Sequence, residues 1–150
     1  MKLRIPPVLQ YFLCGALAIT VSYLVPGLSY DNSILKILAY VIGLAGILLL
    51  LMAVAAFLKA RTTVNPHKPE SASKLVTTGL YRISRNPMYL AMAMLLVAGT
   101  ILLGNWAAFM GPVVFIALVT HLQIMPEEEV LRKQFGEIYL SYCQQTRRWI

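Results

Sequence analysis

The side chains able to do chemistry fall in two stretches, Leu75–Tyr89 and Pro126–Trp149, with a long apolar segment between them. The second stretch opens Pro126-Glu127-Glu128-Glu129. Proline at the first helical position followed by acids suits a helix N-terminus, where carboxylates complement the dipole. The same carboxylates can accept hydrogen bonds from a ribose diol or an ammonium group. The first stretch ends Tyr81-Arg82-Ile83-Ser84-Arg85-Asn86-Pro87-Met88-Tyr89. Tyr81, Arg85 and Tyr89 recur every four residues. They read either as an interfacial anchor, with snorkelling arginines and a tyrosine belt, or as an arginine gripping a carboxylate while aromatics pack on a planar base. His121 precedes Glu128 by seven residues, so in an unbroken helix they share a face about 10 Å apart. His67, in Asn65-Pro66-His67-Lys68-Pro69, reads as a solvated loop histidine. No Cys/His spacing supports a metal site, and no glycine-rich phosphate loop is present.

These groups need a scaffold, and composition says which kind. The 150 residues are 59% hydrophobic and 13% charged, with a mean hydropathy of +0.70. A soluble domain holds about 45–50% apolar residues, so the chain reads as an integral membrane protein. Its net charge of +7 flanks apolar runs rather than forming a nucleic-acid patch. Four spans are expected: Val8–Val25, Ile34–Leu58, Pro87–Leu103 and Trp106–Met125. The first is read as a retained helix, because no small-residue cleavage site follows it. Pro26-Gly27 ends that helix, Asp31-Asn32-Ser33 caps the second, and Gly104-Asn105 turns the third into the fourth. The second span is long and is expected to tilt or project. Cys14 and Cys143 lie at different depths and are read as unpaired fillers.

Segments 1–7, 59–86 and 126–150 carry twelve of the thirteen lysines and arginines. The positive-inside rule makes that side cytosolic, together with both termini. No acid or base falls in the middle of a span, which argues against a proton-coupled transporter. Chemistry is therefore expected at the cytosolic interface, in a cassette of residues 60–90 and 126–149. After Pro126 the spacing of Leu131, Phe135, Ile138 and Tyr142 predicts an amphipathic helix with these four on one face. Gly136, costly in a helix interior, suggests close approach by another helix or a ligand. Ala91 and Ala93 are read as loosely packed walls beside a lipid entry.

Taken together, Leu75-Val76-Thr77-Thr78-Gly79 with Tyr81-Arg82, Arg85-Asn86-Pro87-Met88-Tyr89, and Glu127-Glu128 followed by Leu131, Phe135-Gly136, Tyr139 and Tyr142 resemble the isoprenylcysteine carboxyl methyltransferase family, whose relatives include phospholipid N-methyltransferases. Thr62-Thr63-Val64-Asn65-Pro66 adds to the likeness, which covers roughly residues 60–149. Asn86 stands where the family more often has histidine, and Ala91 where it often has glycine. The resemblance implies one all-α integral membrane domain over residues 1–150, with four transmembrane helices and a cytosolic amphipathic C-terminal helix. It implies S-adenosylmethionine as cofactor, no metal, and a lipid-like carboxylate, amine or thiol as methyl acceptor. Arg85 and Asn86 are then the expected catalytic residues. Tyr81, Arg85, Tyr89, His121, Glu127 and Glu128 are the expected cofactor-binding residues. The expected place is a bacterial inner membrane. An NADPH-dependent membrane reductase of related helical core and a non-catalytic membrane scaffold are the rival readings.

Overall fold

The computed structural model describes residues 5–60 and 75–150; the loop bearing His67 and Thr62–Pro66 lies outside them. Among the described residues five α-helices follow one another: α1 Pro7–Leu24, α2 Ser33–Ala60, α3 Pro87–Leu103, α4 Met110–Val119 and α5 Met125–Gln145. Among the described residues, three helical stretches are long and apolar enough to cross a membrane, Pro7–Leu24, Ser33–Ala56 and Trp106–Gln145; α3, with 17 residues, is a shorter apolar helix. Large apolar side chains point outward, among them Ile34 at 76% and Val113 at 66% exposure. That is the arrangement expected where the surrounding solvent is hydrocarbon.

Inside the bundle, small residues let backbones approach. The stripe Pro7, Gln10, Cys14 and Ala18 is the buried side of α1. Opposite it, a Cβ placed on Gly111 would lie 2.7 Å from both the Ala18 Cβ and the Cys14 carbonyl oxygen. Ala39, Gly46 and Ala53, seven apart, line the buried side of α2. A Cβ on Gly46 would sit 3.3 Å from the Ala91 carbonyl oxygen. Ala91 and Ala93 are thus packed shut, at 0% and 5% exposure, and are not loose walls. In hydrocarbon this close packing of small residues holds helices together.

The turns between α1 and α2 and between α3 and α4 match the residues that suggested them. Asn32 Oδ1 accepts from the Ile34 and Leu35 amides at 2.9 and 3.1 Å, capping α2. Gly104 takes a left-handed φ of 65° after α3. Asn105 is 1% exposed and accepts from the Ala107 amide at 2.8 Å. Its Nδ2 donates to the carbonyls of Ser22 and Val25 and to the Ser29 hydroxyl, while the Tyr30 amide donates to the Gly104 carbonyl at 2.7 Å.

The fourth span differs from the expectation. Residues 106–135 are one helical run up to the break at Gly136, about 45 Å at 1.5 Å per residue and longer than the ~30 Å hydrocarbon core. Pro126 does not end it. Proline lacks an N–H and crowds the carbonyl four residues earlier; the chain widens into a π-helix over Thr120–Ile124, which relieves that crowding while the helix continues. The break comes instead at Gly136, whose φ of 51° and ψ of −126° are non-helical. Nothing lies within 4 Å of where its Cβ would stand. Glycine is needed there for its backbone angles, not for a close approach. The bend resets the helix face: Tyr139 and Tyr142 are buried while Ile138 is 69% exposed, so the four residues expected on one face are split.

Candidate functional site

Beyond the bend, α5 returns toward the start of α3. The Tyr142 hydroxyl donates to the Tyr81 carbonyl at 2.6 Å, and Thr146 Oγ1 donates to the Arg82 carbonyl at 3.3 Å. Residues 146–150 then form a strap beside residues 84–86. Ser84 and Arg147 pair as a parallel bridge, and the Arg85 amide donates to the Arg147 carbonyl at 3.0 Å. Trp149 packs against the hydrophobic core cluster that contains Tyr89, Phe115 and Ile124.

The centre of this crossing is Glu128. Arg85 Nη2 donates to its Oε1 at 2.8 Å. Arg148 grips it as a fork, Nε to Oε1 at 3.0 Å and Nη2 to Oε2 at 2.7 Å. The other arm of Arg85, Nη1, donates to the carbonyls of Cys143 and Thr146 at 3.2 and 2.9 Å, closing the C-terminal end of α5 as cations favour. Arg85 and Glu128 are 13% and 18% exposed at the side chain. Burial pushes the Glu128 carboxyl up, but the hydrogen bonds and charges of Arg148 and Arg85 outweigh it and leave the group below its ordinary range. Next to it, the Tyr89 hydroxyl donates to Glu127 Oε1 at 2.8 Å. Because the Met125 amide bonds to the Thr120 carbonyl, the helix has no open N-terminus at Pro126. Helix capping therefore does not account for Glu127 and Glu128.

A cavity of about 550 Å³ opens beside this cluster, walled by His121, Glu128, Arg132, Tyr139, Cys143 and Arg148 among others. That lies within the ~300–1,000 Å³ range of small-molecule sites. Burial, with the Glu128 charge added, raises the Tyr139 phenol and keeps it neutral, so it can both donate and accept.

Of the residues expected from sequence, His121 and Glu128 line the cavity. Arg85 holds Glu128 from behind, and Tyr89 holds Glu127. Asn86 serves the strap: its Nδ2 donates to the Arg148 carbonyl at 3.0 Å. Tyr81 is buried at 5% exposure and contributes its carbonyl to Tyr142. The sequence reading missed Arg148, Tyr139, Arg132 and Cys143. The four-residue spacing of Tyr139 and Cys143, and of Glu128 and Arg132, was the available signal, hidden by the wrong face assignment. Arg148 is brought to Glu128 by the chain reversal alone, which no local spacing encodes.

The phospholipid methyltransferase family matches residues 34–138 of this chain. An "uncharacterized protein" of Haemophilus influenzae is 41% identical over 63 residues, 42% of this chain and 100% of that protein. The family match includes α2, α3, α4, the π-helix and the first part of α5, and so includes Arg85, Asn86, Tyr89, His121, Glu127 and Glu128.

Proposed function

Because the chain belongs to the phospholipid methyltransferase family, and is thereby a multi-pass membrane methyltransferase, we propose that it transfers a methyl group from S-adenosylmethionine to a lipid-like acceptor at the cytosolic interface. The observation that carries this reading is the cavity between His121 and Arg148, set where the apolar part of the long helix gives way to its charged part. Such a position meets water-soluble cofactor on one side and lipid on the other.

The walls fit the cofactor's chemistry. A carboxylate has about four acceptor sites; three donors occupy Glu128, leaving one for a hydroxyl or ammonium hydrogen. Arg132 and Arg148 carry donors suited to a carboxylate. Tyr139 offers a neutral phenol against a ribose or base. When bound, S-adenosylmethionine supplies a methyl group already activated by its sulfonium charge. The protein's task is then alignment and exclusion of water rather than strong general-base catalysis. Arg85 keeps Glu128 ionised and fixed, and Asn86 fixes the strap that carries Arg148. The acceptor is a lipid-like carboxylate, amine or thiol reaching the cavity from the bilayer. Four spans with both termini cytosolic, in a bacterial inner membrane, complete the reading; the lysine and arginine distribution supports it.

Calorimetry of the purified protein against S-adenosylhomocysteine and NADPH tests the assignment. Binding of the first, with a ligand-dependent rise in melting temperature, is expected. Binding of NADPH alone would overturn it in favour of a reductase. Replacing Glu127 or Glu128 by glutamine is expected to weaken S-adenosylhomocysteine while insertion persists.

A further inference from the structure

Glu128 brings two guanidinium groups onto a single carboxylate, so the triad carries one uncompensated positive charge, with Arg85 and Glu128 largely buried. The surplus charge falls to Arg148, whose side chain is 39% exposed and lines the cavity, where an anion can join it. Arg148 lines the cavity, and two of its five N–H donors are used on Glu128. Three remain. Arg132 lines the same cavity, and among the described residues no acid lies within ion-pair distance of it. The other acid on the wall, Glu129, is already paired with Lys133 at 2.7 Å. The cavity thus presents spare cationic donors, while its carboxylates are engaged.

We propose that Arg132 and Arg148 form an anion seat that takes a carboxylate or phosphate oxyanion of the bound ligand, with Glu128 as a positioning residue that aims Arg148. The inference rests on the methyltransferase reading of the cavity and assigns its charge selectivity. Glu128 is then chiefly the anchor of an arginine and only secondarily a ligand acceptor. Either of two molecules can bring the oxyanion: the amino-acid end of the cofactor or the headgroup of a phospholipid.

Calorimetry on the full chain in detergent, with wild type, Arg132→Gln and Arg148→Gln, separates them. The ligands are S-adenosylhomocysteine, its carboxylate-free relative 5′-methylthioadenosine, a short-chain phospholipid and a diacylglycerol of equal chain length. If the seat takes the cofactor carboxylate, both substitutions weaken S-adenosylhomocysteine about tenfold or more and leave 5′-methylthioadenosine within about twofold. If it takes the lipid phosphate, the phospholipid loses about tenfold while both nucleosides and the diacylglycerol are unmoved. Unchanged binding of every anion in both variants overturns the seat, as does a loss confined to Arg148→Gln, which marks only a disturbed strap. Wild type that binds neither nucleoside ends the cofactor reading, and the phospholipid arm then decides the seat by itself.

Discussion

Where α4 crosses α1, contact is made by atoms without charge and almost without side chain: Gly111 against Ala18 and the Cys14 carbonyl. Where the strap crosses the start of α3, contact is made by Arg85, Asn86, Glu128 and Arg148 through directional bonds of 2.7–3.2 Å. The first region joins whole helix faces by shape and tolerates no added volume. The second joins single side chains whose sequence separations run from 20, between Glu128 and Arg148, to 62, between Asn86 and Arg148, and it tolerates no lost charge. Shape fixes the frame; electrostatics fixes the site, and the site is the part that conditions can switch.

The contrast is broken hardest at Gly111. Gly111→Val puts atoms into a contact already at 2.7 Å from the Cys14 carbonyl oxygen and the Ala18 Cβ, and overpacking against backbone is expected to remove more than about 3 kcal/mol. Loss of folded protein on size-exclusion chromatography, regardless of pH and salt, checks this. Wild-type yield and melting temperature would show that the helices can separate freely there.

Next comes Glu128→Gln. It releases both guanidinium groups and leaves two cations close together, a loss of about 1–3 kcal/mol for a partly exposed triad. Its signature is pH. The Glu128 carboxyl lies below its ordinary 4.5 in the folded protein, so its contribution is complete above that value and disappears as pH falls through the lowered one. The stabilities of wild type and variant should therefore converge in acid and differ by a constant amount above about pH 5. Curves that stay parallel into acid would remove Glu128 from the triad's energetics.

Asn86→Ala removes one hydrogen bond from the strap and is expected to cost about 1 kcal/mol; Asn86→His, which keeps a ring N–H donor, is expected to lose less. Protease accessibility of the C-terminus measures both. Lys133→Gln breaks only the exposed i,i+4 pair with Glu129, 74% and 66% exposed, and should change melting by less than about 0.5 kcal/mol. A larger effect would mean that the outer charges matter as much as the triad.

The two regions also differed in how far they could be read from the chain. Turns were legible because their chemistry is local: Asn32 and Asn105 accept amide hydrogens two or three residues away. The beginnings of α1, α2 and α3 fell within a residue of expectation for the same reason. Pro126 reads as the first residue of a new helix, whereas the helix runs through it, because its effect depends on whether the preceding turn can widen, which the π-helix decides. Gly136 was read as a packing residue because composition does not reveal the sign of φ. Arg85, Tyr89, Glu127 and Glu128 were named as one site, and they do meet in two hydrogen-bonded pairs. The partner that completes that site, Arg148, is brought back to Glu128 by the turn at Gly136 within α5.

Asn105 carries one more consequence. With its Nδ2 donating to three groups around the end of α1 and Gly104 bonded to Tyr30 ahead of α2, it ties the ends of α1, α2, α3 and α4 that lie opposite Arg85. A bundle riveted at one rim can spread only at the other. On the proposed reading, lipid is then exchanged with a single leaflet, the one level with the start of α3. A molecule lodged in the opposite leaflet must cross the bilayer by other means before this protein can modify it.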